Sequence, residues 1–201
     1  MSKGSEIRIS KLDAARRQLR TAITLWFTDG DPVSVHALAF AAYEIFHTVS
    51  KKRDPFRRDL LLDSDMIKDE YRRDWEKLVK KNVVFFKHAD RDSDAIIDFD
   101  PTLNEFFILY ATVGRQLCGE SQSEEESHFG WWFHINRPEL LTDRGREFVA
   151  NHIPSDVAEY TRKMNKREFF EALRDARTLM QGRSPTTGRR FFLPTDTTAS
   201  V

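Results

Sequence analysis

Cysteine is almost missing from this chain: Cys118 is the one example among 201 residues. A single thiol excludes an intrachain disulfide and any zinc site built from several cysteines, and it fits a reducing compartment. Long uncharged apolar runs are missing too, and the N-terminal MSKGSEIRIS has no secretory-type apolar stretch. No membrane span is expected, and the chain should be soluble and cytoplasmic. Charge of one sign is lacking as well, because 32 Lys+Arg balance 32 Asp+Glu. Any phosphate contact must therefore come from a local cluster rather than a global field. The sequence also has no P-loop, dinucleotide glycine fingerprint, serine elbow or metalloprotease helix.

What is present is apolar and aromatic: 40% of residues are hydrophobic and 16 are Phe, enough for a packed core. From Lys11, the residues Leu12, Ala15, Leu19, Ala22, Ile23 and Trp26 recur at helical spacing, predicting a first helix that stops near Gly30. Ser34 is placed to cap a second helix with two stripes, one of Val35, Leu38, Ala42, Ile45 and Val49 and one of His36, Phe40, Tyr43 and His47. A helix apolar on so much of its circumference belongs at the centre. Residues 51–59 hold Pro55, five bases and two acids, which reads as a surface loop.

A third helix is expected from about Ser64, with Ile67, Tyr71, Trp75, Leu78 and Val79 on one side. Whether it runs unbroken through Lys80, Lys81 and Asn82 stays open. A short extended strap near residues 95–99 precedes a fourth helix, opened by Asp100 and Pro101, carried by Leu103, Phe106, Tyr110, Val113 and Leu117, and closed at Gly119. Cys118 falls on that helix as a small core residue. Ser123 with Glu126 and Asn165 with Glu168 match capping boxes, Pro138 closes the helix after the first of them, and Thr142 and Ser155 open short helices. The expectation is an all-α, single-domain helical bundle of seven or eight helices over residues 1–182, followed by a C-terminal tail at 183–201.

Histidine is the natural place to look for chemistry at neutral pH. His36 and His47 share a helix face but stand roughly 16 Å apart along it, too far to ligate one metal. Glu44 and His47 have a glutamate-x-x-histidine spacing used in metal-binding bundles, although the second such pair that a dinuclear site needs is absent. His88 is followed by Asp90 and Asp92 in a segment without the glycine and repeating oxygens of a calcium loop. The plain alternative is a helix C-terminus, with Lys87 and His88 facing the negative end of the dipole and the aspartates in a turn. Phe129, Trp131, Trp132 and Phe133 could stack bases or fill a core, and the basic run at residues 51–58 could bind phosphate or face water.

The segment KNVVFFKH, Lys81 to His88, resembles the signature of the HEPN superfamily, all-α bundles in which an arginine, often followed by a polar residue, precedes a histidine. Lys81 holds the arginine position and Asn82 the polar one. In active members the resemblance implies metal-independent RNA cleavage at a dimer interface, with the histidine acting on the ribose 2'-hydroxyl or the leaving oxygen. Lysine is a departure, since it offers a point charge where arginine offers a bidentate fork. The run from VHALAFAAYEIFH through NVVFFKHADRD is also similar to uncharacterised bacterial helical proteins. The leading expectation is thus a HEPN-like protein, dimeric, with Lys81, Asn82, Lys87 and His88 as catalytic residues, His36, Tyr43 and His47 as binding residues, no cofactor, and RNA or a nucleotide as partner. Two readings stand beside it: a bundle holding a divalent metal ion or small ligand through Glu44, His47, His88 and Asp90, and a non-catalytic interaction module.

Overall fold

The computed structural model describes residues 6–56, 58–59, 61–62, 64, 67–88 and 93–180, the last five of these by backbone alone. Eight α-helices and no strand occur among them: α1 (Lys11–Phe27), α2 (Pro32–Arg53), α3 (Asp69–Lys87), α4 (Leu103–Leu117), α5 (Glu124–Asn136), α6 (Asp143–His152), α7 (Ser155–Lys163) and α8 (Lys166–Met180). The all-α expectation holds. No helix among the described residues is long and apolar enough to cross a membrane. Contacts divide the chain into two compact units, Met1–Glu126 and Ser127–Val201. The expected boundary at residue 182 and the tail beyond it lie outside the described residues.

In the first unit α1 begins with a capping box. The Ser10 hydroxyl accepts the Asp13 N–H at 3.1 Å, and the Asp13 carboxylate accepts the Ser10 N–H at 3.3 Å. Its buried face is Ala15, Leu19, Ala22, Ile23, Trp26 and Phe27, close to the predicted stripe. Central α2 packs against α1, α3 and α4. The cap of α2 is Asp31 rather than Ser34: its carboxylate accepts the Ser34 N–H at 2.8 Å, and Pro32 takes the first turn, where a missing N–H costs nothing. The helix also runs further than expected. Lys51, Lys52 and Arg53 form its last turn instead of a loop, where their charge complements the helix dipole. The deep stripe is Val35, His36, Ala39, Phe40, Ala42, Tyr43 and Phe46, while Leu38, Ile45 and Val49 are only half-buried.

α3 starts at Asp69 rather than near Ser64 and continues unbroken through Lys80, Lys81 and Asn82. Its predicted inner stripe is corrected, since Tyr71 and Leu78 are 59% and 64% exposed and only Val83 is buried. Arg72 and Trp75 settle which side faces in. The Arg72 guanidinium donates to the Leu62 and Ile67 carbonyls, and the Trp75 indole donates to the Leu61 carbonyl at 2.7 Å.

α4 opens two residues later than Asp100–Pro101 suggested, at Leu103. The Asp100 carboxylate accepts the Thr102 N–H at 2.9 Å and shapes the approach. Its deep face holds Asn104, Phe107, Ile108, Ala111 and Gly114, a rotation of about one residue (roughly 100°) from the predicted stripe. Small residues explain this. A methyl added at Gly114 would stand 3.1 Å from the Phe46 Cβ, so this face lets α2 come close in a way that Val113 or Leu117 would not. Gly114→Val is expected to destabilise by about 1–3 kcal/mol through overpacking, read as a lower thermal midpoint. Equal stability would show that the α2–α4 contact yields. Gly119 ends the helix at φ +76°, a left-handed value that suits glycine.

In the second unit, which takes all but the first turn of α5, the expected short helices appear. Thr142 caps α6 by accepting the Gly145 N–H at 3.2 Å. Asn165 and Glu168 form the predicted capping box of α8 at 2.9 and 3.0 Å. Phe129, Trp132 and Phe133 are buried, so these three rings are core and not a base-stacking platform.

Candidate functional site

The four expected catalytic residues, Lys81, Asn82, Lys87 and His88, lie in the last two turns of α3 and at its C-cap. Lys81, Lys87 and His88 are exposed, and Asn82 is half-buried. Lys81 and His88 are seven positions apart, His88 being the extended cap just past the helix, so their Cα atoms lie on one side of it and about 10 Å apart along the axis. The His88 backbone N–H closes the helix on the Val84 carbonyl at 3.0 Å. Among the described residues, none of the four side chains enters a hydrogen bond or ion pair, and none is joined to His36 or His47. Leu78 and Val84 (49% exposed) flank the basic face.

The three expected binding residues divide between two other places. His36 is fully buried on α2, and its Nδ1 stands 3.0 Å from Asn104 Oδ1. The Asn104 amide nitrogen donates to the Pro32 carbonyl at 2.9 Å, which fixes which end of that amide is its oxygen. Nδ1 must then carry the proton, and in the neutral ring that burial favours Nε2 keeps an acceptor lone pair. Burial pushes its pKa down, with the Asn104 bond opposing. Phe86, next to Lys87, meets the His36 ring at 5.7 Å, so the end of α3 and His36 are neighbours through an apolar contact only.

Tyr43 and His47 converge instead on Asp59, a residue of the segment expected to be a surface loop. The Tyr43 hydroxyl donates to Asp59 Oδ2 at 2.6 Å, His47 Nδ1 pairs with the same oxygen, and Asp59 Oδ1 accepts the Leu61 N–H at 2.9 Å. The Tyr43 oxygen in turn accepts the Leu62 N–H at 3.1 Å. The Tyr110 ring lies 6.4 Å from that of Tyr43, and its hydroxyl pKa is pushed up by burial and then by the Asp59 charge. A buried carboxylate that grips one ring nitrogen fixes the orientation and tautomer of the histidine, as in acid–base couples. One signal could have pointed here: three leucines directly after Asp59 are out of place in a solvated loop, and Leu61 and Leu62 are buried.

The metal reading finds no support within this geometry. Among the described residues, no group of three His, Cys, Asp or Glu could hold an ion; Glu44 is half-buried, and Asp90 lies outside the described residues. No family model, curated protein or solved structure matches the chain.

Proposed function

We propose that the chain is a HEPN-like helical protein that acts on RNA through the exposed end of α3 and works as a homodimer in a reducing, cytoplasmic setting. The observation that carries this reading is the state of Lys81, Lys87 and His88. All three are exposed at the C-terminal end of α3, Lys87 next to the cap residue His88 and Lys81 two turns before it, with no hydrogen bond or ion pair among the described residues. One cation beside the His88 imidazole and a second about 10 Å away suit the successive phosphates of an RNA strand, the lysines holding phosphates and His88 exchanging a proton with the 2'-hydroxyl or the leaving oxygen. Exposed Tyr71, Leu78 and Val84 on the same helix give a second copy an apolar surface to cover.

The test is the purified full chain with an RNA oligonucleotide in excess chelator. Cleavage should persist without metal and fall by about 100-fold or more in His88→Ala, with the helical circular dichroism unchanged. Cleavage indifferent to His88→Ala overturns the assignment. If the chain binds RNA without cutting it, Lys81→Ala with Lys87→Ala should weaken binding and flatten its salt dependence. Binding that ignores both lysines overturns the reading equally.

A further inference from the structure

His36 has a feature that packing leaves unexplained. Its ring is fully buried among Phe40, Phe86, Phe99 and Phe107, with centroids 6.5, 5.7, 5.1 and 4.7 Å away. Nδ1 is satisfied by Asn104, but buried Nε2 has no hydrogen-bond partner among the described residues. A lone acceptor in an aromatic enclosure is poorly served by water, which needs two to four polar partners of its own. It is well served by a molecule with one donor and an otherwise apolar surface.

The walls differ in how firmly they are held. Phe40 and Phe107 are buried on α2 and α4, whereas Phe99 is half-buried on the irregular stretch before α4, in which Ile96 is 95% exposed. Phe99 also packs edge-on to Phe86 at 5.1 Å, closing the enclosure on its outer side. We infer that this enclosure is a latent site for a small, uncharged aromatic molecule bearing one N–H or O–H donor. His36 Nε2 is the acceptor, and the Phe99 ring is a stopper that the ligand displaces. The inference does not rest on the RNA reading of α3, although Phe86, beside Lys87, forms one wall of the enclosure.

Indole and toluene are the probes, the first with a donor and the second without. Each is titrated into the full chain carrying ¹⁵N-labelled histidine, with the His36 ring nitrogens observed by NMR. Indole should shift the Nε2 signal saturably while Nδ1 keeps its proton, and toluene should bind about ten-fold more weakly for want of the hydrogen bond. Phe99→Ala, by removing the stopper, should tighten indole binding by about ten-fold or more. His36→Phe should erase the preference for indole. If that variant does not fold, the comparison of indole with toluene on Phe99→Ala decides alone. A folded Phe99→Ala that gives no saturable shift with indole, or that binds the two probes alike, overturns the inference.

Discussion

Arg115→Met is expected to destabilise the first unit by about 3–5 kcal/mol, because it strands a buried carboxylate. Glu126 is fully buried, and Arg115, itself only 11% exposed, pairs with it directly. Arg115 Nε also stands 3.3 Å from Glu120 Oε2, and Arg16 reaches Glu120 at 3.4 Å, so two arginines and two glutamates form one network. Burial pushes the Glu126 carboxyl pKa up, while Arg115, and then the Ser123 cap, pull it down. A raised carboxyl contributes stability below its unfolded pKa and loses that contribution as pH rises through the folded value. Removing Arg115 raises it further. The thermal deficit of Arg115→Met should therefore be largest at neutral pH, about 10 °C or more, and shrink in mildly acidic buffer. A deficit independent of pH would show that Glu126 is not its source. Arg115→Met with Glu126→Leu should recover much of the loss, since an apolar pair leaves no charge stranded.

Glu126 also shows how far the sequence could be read. Its spacing from Ser123 identified a capping box, and the structure has it, both bonds at 3.3 Å. Nothing in the spacing distinguished a cap in water from a cap fully buried against an arginine eleven residues back, because burial is a property of the packed helices. The same limit explains α4. Hydrophobic periodicity weighs Leu103, Phe106 and Tyr110 as inward, yet the deep face includes Asn104, Glu105 and Thr112. Asn104 is inward because it has His36 and the Pro32 carbonyl to bond, partners from a helix about seventy residues away. Where packing alone decides, as on α1 and in the central placement of α2, the apolar pattern located the core. Where a polar residue is buried by a distant partner, as with His36 and with Asp59 below Tyr43 and His47, the sequence named one member of the pair and missed the other.

Asp59→Ala tests the second of these clusters and is expected to cost about 3 kcal/mol. The variant removes the shared acceptor of the Tyr43 hydroxyl, His47 Nδ1 and the Leu61 N–H, three donors in a largely buried setting where each lost bond is worth about 1 kcal/mol. The loss is held to that size because the His47 side chain, 15% exposed, can turn toward water. Tyr110 supplies a readout that general destabilisation does not. Its hydroxyl pKa is raised first by burial and then by the Asp59 charge, so its contribution to stability is complete below the ordinary tyrosine value and is lost as pH climbs through the raised one. Asp59→Asn keeps the shape and deletes the charge. Tyrosinate absorbance from Tyr110, isolated by comparison with Tyr110→Phe, should then develop at lower pH than in the parent chain, yet still above the ordinary tyrosine value because burial remains. An unshifted Tyr110 titration would mean that the Asp59 carboxylate does not act on it, and the cluster would reduce to a hydrogen-bonded tie between α2 and the residues that follow it.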